Sequence, residues 1–344
     1  MNLVESLPAS AYCSEAMYHA ERERVFRPAW LLAGYSYQFK QPGDYLADVF
    51  AEWPVFIQLG DDMRLRAFHN VCAHRAGPIV WDGTGRQANL VCRYHGWAYE
   101  QGGGLRNARD FGAEDVGAMD PPCDGLLAVR VQTWRSMVFI CMDSTTPDLI
   151  AWLGDFPKEC EPYPIESYEF HSRSVHPMDC NWKTYADNFL EGYHVPLVHP
   201  GLNRQVEGLS YRVTTKGDRR WNLHVAARRH DDTEFTGVFL WFWPNFSVNI
   251  FRGGFAVERW VPRGFDKSDL IFEYFFEPNH PEADDIVATS ELVCMEDLAI
   301  AEAVQRNLRS GAYDRGYLSP RHENGLADFK QLLEEVLAGE PLRP

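Results

Sequence analysis

A chain of 344 residues, 45% apolar and 24% charged, has globular composition and room for one large domain or two ordinary ones. Its net charge of −16 disfavours nucleic acid and anionic membrane surfaces, both of which would repel it. The opening MNLVESLPASAY has no basic segment followed by an apolar core, and no run approaches 18 apolar residues. Neither a secretory signal nor a membrane span is therefore expected. The eight cysteines (13, 72, 92, 123, 141, 160, 180 and 294) are scattered over a chain too large to need stapling. They read as buried thiols or metal ligands, and the cytoplasm as the expected compartment.

In chain order, residues 14–30 predict a helix with Ser14 as its N-cap. From about 40 to 145, stretches such as DYLADVF, PVFIQLG, LLAVRVQTW and MVFICM are separated by Gly, Pro and Asp, which predicts a small all-β domain. The proline-rich segment 146–165 marks a domain junction. A helical stretch near 180–194 follows, then strand-like segments including WNLHVAARR, FTGVFLWFWPNFSVNIF, FAVERWVP and LIFEYFFEP. A long helix over roughly 290–309 and a last one near 325–338 complete the chain. Strands beside separate helices predict an α+β fold whose second domain has an antiparallel sheet flanked by helices. The boundaries expected are 1–38 for an N-terminal helical segment packing on the second domain, 39–155 for the β domain and 156–344 for the second domain.

Residues 72–97 carry Cys72-x-His74, seventeen residues, then Cys92-x-x-His95. Two Cys/His pairs, each on a short turn, are what a compact metal centre needs, and Gly77, Pro78 and Gly96 suit tight loops. A tetrahedral zinc site uses these ligand types. So does a Rieske [2Fe–2S] cluster, in which histidines replace thiolates on one iron. Each loop contributes one residue of each kind, which favours the cluster because two Cys can hold one iron and two His the other.

DNFLEGYHVPLVHP, residues 187–200, supplies the second constellation. Helical spacing places Asp187, Glu191 and His194 on one face, and Pro196 is expected to end that helix at about His194. His199 then returns from a loop, so the two histidines can converge on one ion. Two His and one carboxylate form the facial triad of non-haem Fe(II) oxygenases. The carboxylate is sought where an acid should not be. In SELVCMEDLAIAEAVQRNLRSG, Val293, Ile300, Val304 and Leu308 predict an apolar stripe, and Asp297 falls within about 40° of its centre. Glu296 falls on the flank and Glu302 on the far side. A carboxylate aimed inward must be paired or bound to metal, so Asp297 is the expected third ligand.

Together the C-x-H-x17-C-x2-H motif and the downstream D-N-x-x-E-x-Y-H-x4-H segment resemble the catalytic α subunits of Rieske non-haem iron oxygenases. NWK at 181–183, PN at 244–245, the Glu296–Asp297 pair and LSPRHENGLADF at 318–329 extend the resemblance over nearly the whole chain. It implies a helix-grip-like catalytic domain behind an N-terminal Rieske domain, with Cys72, His74, Cys92 and His95 on the [2Fe–2S] cluster and Fe(II) on His194, His199 and Asp297. It further implies O2 as co-substrate, electrons from a separate NAD(P)H-fed reductase or ferredoxin, and a homotrimer. By position, Glu191 is the acid that bridges one subunit's cluster histidine to its neighbour's iron histidine. Asn188 is implied beside the iron site, and Asp187 is a weaker candidate there.

Ring-dihydroxylating relatives usually carry Asp at the bridging position, and relatives acting on quaternary ammonium compounds often carry Glu. The expected activity is thus hydroxylation or oxidative demethylation of a small organic molecule, with aromatic cis-dihydroxylation as the alternative. A Rieske electron carrier or zinc-stapled binding protein without catalysis is the reading from another class. The aromatic stretch 241–251 is the expected pocket wall, half of it facing elsewhere by strand alternation.

Overall fold

The structure, a computed structural model, describes residues 3–111, 125–230 and 235–340; Cys123 lies outside them. The chain divides into two compact units, Arg27–Trp152 and the combination of Met1–Phe26 with Leu153–Pro344.

After an N-terminal helix α1 (Glu15–Glu21), the Arg27–Trp152 unit is built mainly of β-strands, with a 3-10 turn at Ser36–Gln38 and a short helix, Leu149–Leu153, at its end. Its main sheet uses β1 (Leu31–Tyr35), β2 (Asp44–Phe50), β3 (Trp53–Leu59), β4 (Leu65–His69) and β5 (Gly83–Arg86). A small sheet follows from β6 (Leu90–Val91), β7 (Ala98–Tyr99) and β8 (Leu105–Asn107), and then β9 (Ala128–Trp134) and β10 (Met137–Cys141) rejoin the first. The seven strands run β1-β10-β9-β4-β3-β2-β5, all antiparallel. Phe56, Phe68, Ile79, Trp97 and Tyr99 fill the core, and Cys72 and Cys92 are part of it.

The second unit is built on a seven-stranded antiparallel sheet. Its strands are β11 (Glu169–Met178), β12 (Val206–Lys216), β13 (Trp221–Arg228), β14 (Phe235–Phe242), β15 (Phe246–Phe251), β16 (Gly254–Pro262) and β17 (Ser268–Phe276), in the order β11-β17-β16-β15-β14-β13-β12. Among the described residues, three helices of eight residues or more accompany it: α2 (Trp182–Phe189), α3 (Ala283–Arg309) and α4 (Asn324–Ala338). The predicted α+β class with an antiparallel sheet holds. β15, β16 and β17 are buried almost throughout, which is why their sequences read as apolar runs rather than alternations. Among the described residues no helix is long and apolar enough to cross a membrane.

The first predicted helix is shorter than 14–30. Ser14 Oγ accepts the Met17 N–H at 3.2 Å as its cap, α1 ends at Glu21, and a π-helical turn covers Arg22–Phe26. Glu21 is fully buried at the end of α1 and meets Lys183 Nζ of α2 at 2.6 Å, also fully buried; Trp182 Nε1 donates to the same carboxylate at 2.8 Å. This pair fixes the N-terminal segment to the helix that carries Asp187 and Asn188. Lys183→Ala leaves an unpaired charge inside and is expected to cost about 3–5 kcal/mol. Denaturant unfolding checks this, and a K183M/E21Q double variant should recover most of the loss.

Candidate metal centres

In the β unit, two short loops carry the Cys/His pairs. Asn70 pins the first: its Oδ1 accepts the Ile79 and Val80 N–H groups and its Nδ2 donates to the Val80 carbonyl. Each loop closes on itself, Ala76 N–H to the Cys72 carbonyl and Gly96 N–H to the Cys92 carbonyl. The loops approach so closely that a Cβ on Gly77 would lie 2.9 Å from Cys92 Sγ, so only glycine fits there. Tyr99 Oη reaches Cys72 Sγ at 2.9 Å, and the Tyr94 N–H reaches Cys92 Sγ at 3.5 Å. Burial pushes the Cys92 thiol up, and the neighbouring Cys72 thiol adds to the rise.

The His74 and His95 rings lie 4.7 Å apart, with His74 stacked on Trp97 at 4.6 Å. His74 Nδ1 is buried with no hydrogen-bond partner. An orphaned ring nitrogen beside two buried sulfurs fits a metal ligand set and leaves a metal-free interior with an unpaid desolvation cost. The four residues are thus brought together and fit the two-iron cluster that their pairing implies.

In the second unit, α2 presents its last turn to the sheet. Asn181 caps it by accepting the Lys183 N–H at 2.9 Å. The helix does not continue to His194 as the spacing predicted; it stops at Phe189. Glu191 Oε2 accepts the N–H groups of Tyr193 and His194, replacing the helical bonds those groups would make. Gly192 lies against the Tyr211 ring, where a Cβ would sit 2.2 Å from it. Pro196, expected to end a helix, instead opens the single turn Val195–Val198, where its missing N–H costs nothing. Asp187, Glu191 and His194 therefore do not share one helical face.

The loop nevertheless delivers both histidines. Glu191 Oε1 meets His194 Nδ1 at 2.5 Å, and Glu296 Oε2 meets His199 Nδ1 at 2.8 Å. Each Nδ1–H donates to a carboxylate, so each Nε2 presents its lone pair inward. His194 Nε2 lies 3.7 Å and His199 Nε2 2.8 Å from Asp297 Oδ1. Ligand atoms of His194, His199 and Asp297 all lie within 4.8 Å of one another. Two acceptors facing at 2.8 Å need a cation between them. Burial alone would push His199 down, but the Asp297 and Glu296 carboxylates beside it raise it, so the site favours a positive guest, proton or metal. Asn188 Nδ2 donates to Asp297 Oδ1 at 2.6 Å. Asp187 points away from the triad, accepting Tyr12 Oη at 2.5 Å, and burial lifts its carboxyl to about 7 against the pull of that bond.

The helix stripe behind Asp297 is rotated from the one predicted. α3 buries Ile286, Ser290, Cys294, Asp297, Leu298, Ala301, Gln305 and Leu308, whereas Ile300 and Val304 are exposed. The latter border a cavity of about 490 Å³ that Tyr12, Asp187 and Glu191 also line. Asp297 still sits within the buried row. A second cavity of about 90 Å³ lies over the triad and is walled by Tyr185, Phe189, Tyr211, Phe239, Phe251 and Phe272. From the 241–251 stretch only Asn249 and Phe251 reach it, whereas Trp241 and Trp243 pack on Phe329 of α4. Glu191 borders both cavities.

Sequence reasoning missed the partner role of Glu296 and overlooked Glu258, which lines the smaller cavity. Glu258 Oε1 accepts Tyr185 Oη, and Oε2 accepts Asn249 Nδ2 at 2.8 Å with Ser247 Oγ at 3.4 Å. Burial pushes its carboxyl up to about 7, although those hydrogen bonds pull it down. Its signal was a carboxylate inside the apolar run FAVERWVP.

Residues 29–120 match the Rieske [2Fe-2S] domain and residues 165–339 the ring hydroxylating alpha subunit catalytic domain. The chain belongs to the Rieske oxygenase α-subunit family. It is an oxygenase, and its family's cofactors are a Rieske cluster and a mononuclear iron that works with O2. It is 30% identical to the chloroplastic choline monooxygenase of Beta vulgaris, over 96% of this chain and 76% of that protein. It is 28% identical to the carnitine monooxygenase oxygenase subunit of Escherichia coli (strain K12), over 96% and 93%. A solved quaternary ammonium Rieske monooxygenase superposes with a TM-score of 0.87 at 25% identity, covering 97% of this chain and 96% of that one.

Glu296 is expected to act by orienting His199. In anaerobic Fe(II) titration of the full chain, Glu296→Ala should bind about 10–100-fold more weakly than wild type. Equal affinity would show that His199 needs no such partner.

Proposed function

We propose that this Rieske oxygenase hydroxylates or oxidatively demethylates a small quaternary-ammonium-like molecule, with His194, His199 and Asp297 holding the mononuclear iron and Cys72, His74, Cys92 and His95 the cluster. The observation that carries it is the convergence of two Nε2 atoms and one carboxylate oxygen beneath an aromatic-walled cavity. The relatives named for choline and carnitine support the substrate class. When bound, the iron and cluster supply dioxygen activation and single electrons.

The protein's own residues do the positioning. Glu191 and Glu296 fix the histidine tautomers and ring planes. Asn188 holds the Asp297 carboxylate toward the histidines. The aromatic walls limit water around the reacting substrate. Electrons come from a reductase or ferredoxin partner that draws on NAD(P)H. The working assembly is a homotrimer in which a neighbour's cluster histidine meets Glu191, which the larger cavity leaves reachable on the side away from His194. Inter-subunit electron transfer described for the solved quaternary ammonium monooxygenase supports that arrangement. The proposed compartment is the cytoplasm.

Anaerobically purified protein is expected to contain about three irons per chain, two in the cluster and one in the triad. Zinc in their place would overturn the assignment. Asp297→Ala should abolish substrate-dependent O2 uptake while the reduced-cluster EPR spectrum is unchanged; surviving turnover would remove Asp297 from the ligand set. Product masses then distinguish insertion of one oxygen atom from two.

Glu191→Gln is expected to retain both metals yet slow electron passage between them about 10–100-fold, as loss of an orienting partner does. Single-turnover oxidation of the prereduced cluster, followed optically, measures it. An unchanged rate would rule out the bridge.

A further inference from the structure

The second unit contains buried acids of two kinds. Glu21 is paired with Lys183 at 2.6 Å, and Glu273 with Arg259 at 3.1 Å. Each of these acids is met by a buried cationic side chain of the same unit. Glu258 is different: it is 3% exposed, and among the described residues it meets no Lys or Arg, only the neutral donors Tyr185, Asn249 and Ser247. Its neighbour in sequence, Arg259, faces the opposite side of β16 by strand alternation and serves Glu273 there.

The cavity that Glu258 lines repeats the imbalance. Glu191, Glu258 and Asp297 border it, and among the described residues no Lys or Arg does. A bound metal ion on the triad offsets Asp297 and the histidine-bound Glu191, but Glu258 is tied to neither histidine. The cavity it lines is also bordered by Tyr185, Phe189, Tyr211, Phe239, Phe251 and Phe272, and aromatic rings themselves attract cations. A carboxylate-bearing guest finds no cationic side chain to receive it and a like charge to repel it. Burial also makes the Glu258 carboxyl less acidic, the expected cost of an anion waiting for a counter-ion.

We propose that Glu258 is the specificity-determining counter-charge of this site, selecting an organic cation that carries no carboxylate, of the choline rather than the carnitine kind. This deepens the reading given under Proposed function and rests on it for the identity of the cavity. Tyr185, Asn249 and Ser247 are its positioning residues, holding both carboxylate oxygens so that the charge is presented without rotamer freedom.

Binding to the iron-loaded enzyme under anaerobic conditions tests the proposal without turnover. Calorimetric titration would compare choline with its uncharged carbon isostere, 3,3-dimethylbutan-1-ol, and with carnitine. The wild type is expected to bind choline at least tenfold more tightly than the isostere, and to bind carnitine more weakly than choline. Glu258→Gln should bring the choline-to-isostere ratio toward one while leaving isostere affinity and iron content unchanged. A wild-type ratio near one, tighter binding of carnitine, or no binding of choline overturns the proposal. So does a ratio that Glu258→Gln leaves intact. If Glu258→Gln does not fold, Glu258→Asp, which keeps the charge but withdraws it by one methylene, takes its place and should lower the choline-to-isostere ratio; an unchanged ratio overturns the proposal. Missing iron or absence of O2 uptake with every compound would instead count against the oxygenase reading, a separate outcome.

Discussion

Asp297 is the constraint around which the second unit is arranged. A carboxylate in the buried row of a 27-residue helix is costly unless something nearby compensates it. Here compensation comes from Asn188, the next-to-last residue of α2, and from two histidines on the loop that follows. Those partners come from about a hundred residues earlier, so the site forms only when α2 and α3 are docked. The buried Glu21–Lys183 pair serves that docking from a third segment, because Lys183 lies on the same helix as Asn188. Stability and site geometry therefore draw on the same contacts.

Glu191 shows how one side chain can set both local backbone and chemistry. One oxygen takes two backbone N–H groups and so ends the helical course of the chain; the other takes His194 Nδ1–H and so fixes which nitrogen is free. A longer helix would have carried His194 past the cavity on a rigid rod. The break after Phe189 frees five residues to curl, and the Pro196 turn then brings His199 back at right angles, the two rings 79° apart.

What could be read from the sequence was the part whose signal is local. Both Cys/His loops are close in sequence and close in space, so their spacing carried their geometry. Asp297 was legible because an acid in a buried helical row is an anomaly, even though the row was assigned one step out of phase. Ile300 and Val304 misled because apolar side chains at a cavity mouth look, in sequence, like core. The break at Phe189 was not legible, since it depends on a side chain capturing backbone donors rather than on propensity. Glu296 read as a flank residue because its partner, His199, comes from another element. Glu258 was hidden by Arg259: adjacent opposite charges look like a surface pair, but in a strand they point to opposite faces.

That last point bears on why the cavity is acidic at all. A protein can neutralise a buried carboxylate with its own Lys or Arg, as it does for Glu21 and Glu273. Doing so at Asp297 would fill the place of a metal ion, and doing so at Glu258 would fill the cavity with a long cationic side chain. Neutral donors are the remaining choice, since they lower the desolvation cost without occupying the space or cancelling the charge. Tyr185, Asn249 and Ser247 do this at Glu258, and Asn188 does it at Asp297. Partial compensation leaves a pocket that is destabilised when empty of cations, and that residual instability is available as binding free energy to whatever positive guest enters.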